Sequence, residues 1–142
     1  MPLIVNLYGG PGTGKSTTAA GVFSMLKLHD VNCELVTEFA KDLTWEGRSV
    51  ALGNQVYILG KQYHKIFRLL EDVDVIITDS PLLLGIVYDK SGSAAFKEFI
   101  MELHHAHSSM NIFLKREKKY NPKGRGQNED EAKTGCDCQR HS

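Results

Sequence analysis

LIVNLYGGPGTGKSTTAA, residues 3–20, divides into three parts of different chemistry. Leu3–Tyr8 is a short run rich in apolar residues, bounded by Pro2 and Gly9, and reads as a buried strand. Gly9–Ser16 follows G-x-x-x-x-G-K-S, the full Walker A spacing. From Lys15 the chain takes a helical pattern with Ala19, Val22, Phe23 and Leu26 on one face. Strand, glycine-rich loop and helix in this order form the context that a phosphate-binding loop requires. Each residue type has a physical role there. Glycine keeps side chains out of the way of phosphate and reaches backbone conformations closed to other residues. Successive N–H groups then converge on an oxyanion, aided by the positive end of the following helix. We assign Gly10, Gly12, Thr13, Gly14, Lys15, Ser16 and Thr17 to nucleotide binding. Lys15 supplies cationic charge for the outer phosphates, and the hard Ser16 hydroxyl suits Mg²⁺.

Outward from this stretch, strands and helices alternate. Cys33–Thr37 reads as a second strand and Phe39–Trp45 as a short helix. A long helix is expected from a cap at Asn54 to about Glu71, with Val56, Leu59, Tyr63, Ile66, Phe67 and Leu70 inward. Val73–Thr78 is a strongly apolar central-strand candidate. Ser93–Ala106 is expected as a helix with Phe96, Phe99, Ile100 and Leu103 inward, and Asn111–Leu114 as a fourth strand. Such alternation predicts an α/β fold of the P-loop NTPase kind, an α/β/α sandwich of three layers on a short, mostly parallel sheet.

Two carboxylates fall at strand ends, where ligands bind in open α/β sheets. Asp79 closes Val73–Thr78 and stands where a Walker B aspartate would hold Mg²⁺ together with Ser16. Its competing reading is a plain Asp-Ser-Pro turn. Glu38 follows Cys33–Thr37 and is placed to accept a proton from an acceptor hydroxyl; the alternative is charge stabilisation of the next helix. Trp45 offers a face for a flat ring or, equally, a buried structural indole.

Taken together, Gly9–Ser16, Glu38-Phe39-Ala40-Lys41-Asp42, Asn54-Gln55-Val56-Tyr57-Ile58, Val75–Pro81 and Lys115–Lys133 resemble the NadR-type AAA domain family, relatives of ribosylnicotinamide kinase. The resemblance implies transfer of the γ-phosphate of ATP, with Mg²⁺, to a small nucleoside-like hydroxyl acceptor. It further implies an acceptor site at Glu38, with Gln55 facing it or facing solvent, and Asp79 near the metal. Lys115–Arg125, six basic residues against one acid, resembles a kinase lid whose Arg116 and Arg125 would bring charge to the transferring phosphoryl group.

The expected organisation is one domain, residues 1–133, followed by an unstructured tail, residues 134–142. Similarity to the family fades near Lys133, so C-terminal elements of the fold are expected to be missing. Cys136, Cys138 and His141 do not match a zinc framework. Charge sums to zero, with 42% hydrophobic and 24% charged residues, which argues against a polynucleotide partner without excluding one. Three cysteines, no secretory leader and no long apolar span lead to an expected cytoplasmic location away from membranes. Enzymatic activity, a catalytically weak nucleotide-binding module and a polynucleotide 5′-hydroxyl kinase remain open at this stage. So do the acceptor, the oligomeric state and the choice between ATP and GTP.

Overall fold

The computed structural model describes residues 1–116. Four strands form the sheet: β1 (Leu3–Tyr8), β2 (Cys33–Val36), β3 (Val75–Thr78) and β4 (Ser109–Phe113). Their order is β2-β3-β1-β4, and every pairing is parallel. Leu3 pairs with Val75 and Asn6 with Thr78, so β1 and β3 end side by side.

Helices cover both faces. α1 (Lys15–Leu28) lies against one, where Val5, Leu7, Cys33 and Ile77 meet Ala19, Val22, Phe23 and Leu26. The other face carries α4 (Gln55–Phe67), α5 (Leu84–Tyr88) and α6 (Ala94–His105), with Ile4, Val36 and Ile76 packed on Leu59, Ile66, Leu82 and Ile100. Alternating β1 side chains feed the two cores, as the strand period of two requires. The three-layer parallel architecture expected from sequence is therefore present. Two short helices, α2 (Phe39–Trp45) and α3 (Ser49–Leu52), bridge β2 to α4.

Several boundaries differ from the sequence reading. α4 ends at Phe67 and gives way to turns, four residues before Glu71. Val56 and Phe67 were expected to face inward but are 69% and 59% exposed. In the last turn the buried place is taken by Ile66, and Phe67, one position on, turns away from the core. Phe99 likewise faces solvent, while Phe96, Ile100 and Leu103 pack inward. α3 and α5 lie within stretches too short to show a period. Side-chain oxygens of Asn54 and Ser93 accept from Tyr57 N–H and Phe96 N–H and fix the starts of α4 and α6. Among the described residues no helix is long and apolar enough to cross a membrane. Arg125, most of the expected lid, the expected tail and the Cys136–Cys138–His141 group lie outside the described residues.

Leu7 is fully enclosed beneath α1, whereas Val50 projects from α3. Leu7→Ala should cost about 2–5 kcal/mol by leaving a cavity, and Val50→Ala less than about 0.5 kcal/mol. Chemical denaturation at fixed pH measures both; comparable losses would contradict this placement of the core.

Candidate functional site

The strand order reverses between β1 and β3. β1 leads by way of α1 to β2 on one side, and β3 leads by way of α5 and α6 to β4 on the other. A crevice opens at the carboxyl ends of adjacent strands at such a point. Here it receives the glycine-rich loop from β1 and Asp79 from β3.

The loop is shaped by close backbone approach. A Cβ added to Gly9 would meet Thr13 Oγ1 at 2.5 Å and the Leu114 carbonyl at 3.3 Å. Thr13 cannot swing aside without losing its Oγ1–H bond to the Gly10 carbonyl, 2.8 Å. Gly14, at φ +90°, turns the chain into α1, and its carbonyl accepts from Thr18 N–H at 2.8 Å. The amides of a first helical turn have no intrahelical carbonyl, so those of Ser16 and Thr17 face an oxyanion position. No acidic residue lies within that turn of α1, which leaves its positive end open to an anion from elsewhere in the chain or from a ligand. From the end of β4, Arg116 Nη2 donates to the Pro11 carbonyl at 2.6 Å, which places this expected lid residue directly on the loop.

Asp79 is set by the end of β3. Thr78 is buried, and its hydroxyl accepts from Ser80 N–H at 3.0 Å, turning the chain sharply after Asp79. Ser16 Oγ–H donates to Asp79 Oδ2 at 2.8 Å. Asp79 Oδ1 is enclosed and has no hydrogen-bond partner among the described residues, in a side chain only 6% exposed. A buried carboxylate oxygen normally has a partner. Hydroxyl and carboxylate oxygens together are the hard donors that Mg²⁺ takes, so the pair fits that ion.

A cleft of about 290 Å³ runs beside this pair, lined among others by Ser16, Asp79, Glu38, Lys41, Asp42 and Trp45. The structure thus brings Glu38 into one space with the two candidate metal-binding groups. Glu38 is the residue before α2, extended at φ −74° and ψ 119°, and its carboxylate caps none of that helix's amides. Its pKa is raised, chiefly because burial strips water from the charged form. Lys15 opposes that shift, Asp79 adds to it, and Lys41 and Asp42 act smaller and in opposite senses. Trp45 is 70% exposed at the cleft wall, so the buried structural reading of its indole is wrong. Gln55 is not among the cleft-lining residues; its amide lies 3.5 Å from the Leu52 carbonyl.

One polar residue escaped the sequence reading. Gln62, 4% exposed, donates Nε2–H to the Thr37 carbonyl at 3.0 Å and accepts from Phe39 N–H at 2.8 Å. Its only sequence signal was position: three residues after Leu59 and four before Ile66, on the buried stripe of α4.

A family model described as "AAA domain" matches residues 4–142. No curated protein matches. Among solved structures, the crystal structure of APE1195 is similar at 22% identity with TM-score 0.46, and the chain covers 60% of that protein's length and 80% of its own. The APS kinase CysC of Mycobacterium tuberculosis, in a cysteine-to-alanine mutant form, is similar at 16% identity with TM-score 0.52 over 98% of both chains. At that identity the likeness is one of fold, and it agrees with the three-layer parallel arrangement.

Because the Glu38 pKa is higher in the fold than in the open chain, the folded state keeps a proton that the unfolded state has released. Stability therefore falls as pH rises from the ordinary glutamate range through the folded value. Glu38→Gln should raise the melting temperature at about pH 8, with the gain shrinking toward about pH 4. A variant that melts lower than wild type across this range would contradict the burial assigned to Glu38.

Proposed function

This chain belongs to the AAA domain family, and we propose that it is a kinase that transfers the γ-phosphate of ATP to the hydroxyl of a small, nucleoside-like acceptor. The observation that carries the reading is the single cleft shared by Ser16, Asp79 and Glu38. Phosphoryl transfer needs positioning and charge stabilisation on one side and a proton acceptor on the other. This cleft brings candidates for both side by side. The finer kinship, with NadR-type ribosylnicotinamide kinases, belongs to the same proposal and rests on the sequence resemblance.

In this reading the Gly9–Ser16 backbone and Lys15 bind the triphosphate, with Arg116 beside the loop at Pro11. Ser16 and Asp79 would hold Mg²⁺, which supplies charge neutralisation at the phosphate oxygens when bound. The acceptor lies between Glu38 and Trp45, whose exposed indole offers a stacking face. As the acceptor oxygen forms its new bond to the γ-phosphorus and the bond to the β-phosphate oxygen breaks, Glu38 takes the hydroxyl proton. A raised pKa makes its carboxylate a stronger base than an exposed glutamate.

Radiolabelled ATP with a panel of nucleosides, nucleotides and nicotinamide riboside tests this directly. Lys15→Ala should abolish transfer. Glu38→Gln should retain Mg·ATP binding and lower turnover by about 10²–10⁴-fold. Turnover should also fall on the acid side at a pH above the ordinary glutamate range. Lys41→Met should move that limb higher, since the Lys41 charge favours the ionised carboxylate. Equal turnover in wild type and Glu38→Gln removes the base; a full panel without transfer removes the kinase.

A further inference from the structure

The loop between β2 and α2 contains two residues, Thr37 and Glu38, before the helix begins at Phe39. A loop of that kind at a strand end has polar backbone groups that neither sheet nor helix satisfies. Two of them flank Glu38: the Thr37 carbonyl and the Phe39 N–H. Both are taken by one side chain from another element, since Gln62 on α4 donates to the first at 3.0 Å and accepts from the second at 2.8 Å. A carboxamide can give and accept at once in this way, through its NH₂ and its C=O. Lys65, one turn further along α4, adds Nζ to the same Thr37 carbonyl at 3.1 Å and reaches Asp42 Oδ2 at 3.7 Å.

We infer that Gln62 is a positioning residue for Glu38: by holding the peptide groups on both sides it fixes where the Glu38 carboxylate stands in the cleft. The inference rests on the reading of Glu38 as the proton acceptor. Three observations support it. Gln62 is buried among apolar residues of the α4 stripe, where a polar side chain is costly unless fully bonded. Its two bonds are spent on the two neighbours of Glu38, one on each side, and not on the helix α4 itself. And Glu38, which precedes α2 and could turn back to cap it, makes no such bond. It lines the cleft instead, with Asp79, Lys41 and Asp42. α4 thereby carries the coordinates of the acceptor site although none of its residues lines the cleft.

A residue that acts only by positioning Glu38 has nothing left to do once Glu38 cannot accept a proton. A double-mutant cycle reads that dependence. Gln62→Met in the otherwise wild-type protein should lower kcat by on the order of 10²-fold, the scale of a misplaced reacting group, with Mg·ATP Kd changed by less than about two-fold. In the Glu38→Gln background the same substitution should lower kcat by less than about two-fold further. If Gln62→Met does not fold, as judged by circular dichroism, Gln62→Glu carries the cycle: it has the same shape, keeps the acceptor for Phe39 N–H and sets an oxygen against the Thr37 carbonyl. A loss undiminished in the Glu38→Gln background overturns the positioning role and leaves the Glu38 reading standing. So does a loss that falls on Mg·ATP affinity, or full turnover in both Gln62 variants. Full turnover in Glu38→Gln alone overturns the Glu38 reading, and the positioning role with it.

Discussion

Everything at the cleft follows from the parallel pairing of β1 with β3. Four consecutive rungs, Leu3 with Val75 through Asn6 with Thr78, bring the two strands to the same edge of the sheet. The glycine-rich loop leaves one strand and Asp79 leaves the other, so 63 residues of intervening chain are spanned by a bond of 2.8 Å between Ser16 and Asp79. A slip of one residue in that register would turn every β3 side chain to the opposite face. Ile76 would leave the core it shares with Ile4, and Ile77 the one it shares with Val5. The apolar layers thus hold the polar pair in place, and the energy of the site is supplied far from it.

The charges in the cleft are arranged asymmetrically. On the β1 side stands Ser16 at the α1 N-terminus, with Lys15 near enough to act on Glu38. On the β2 side stand Glu38 and Asp42, with Lys41 between them. Burial lifts the pKa of Glu38 against the pull of Lys15, so the fold carries a desolvated carboxylate at some expense of stability. Perturbed titrating groups in a cleft of this kind cluster at functional sites. A carboxylate kept merely to cap α2 would be bonded to that helix, and it is not.

Much of this was legible in the sequence because it depends on local chemistry. Strand, glycine loop and helix over residues 3–20 announce themselves by composition and spacing, and Asp79 by the abrupt end of an apolar run. What escaped depends on partners distant in the chain. Gln62 lies 25 residues from Thr37, and its place on the buried stripe of α4 says that it is enclosed but not which groups it bonds. Gln55, favoured by resemblance, lies at the start of the same helix beside Leu52 and not at the cleft. Val56 and Phe67 fit a helical period, yet both stand outside the core that Leu59 and Ile66 enter. A period shows which face a residue occupies but not whether anything lies opposite. Trp45 could be placed on a short helix, but whether its indole met core or cleft depended on how α2 sits against β2.

The account stands on the loop and Asp79 forming one site for a metal-bound triphosphate. Isothermal titration calorimetry with ATP, in the presence and absence of Mg²⁺, on wild type and on Asp79→Asn measures that site without reference to any acceptor. Wild type should bind ATP with Mg²⁺-dependent affinity, and Asp79→Asn should bind with that dependence reduced or gone. No heat with Mg·ATP in wild type, or a Mg²⁺ dependence untouched by Asp79→Asn, would contradict it.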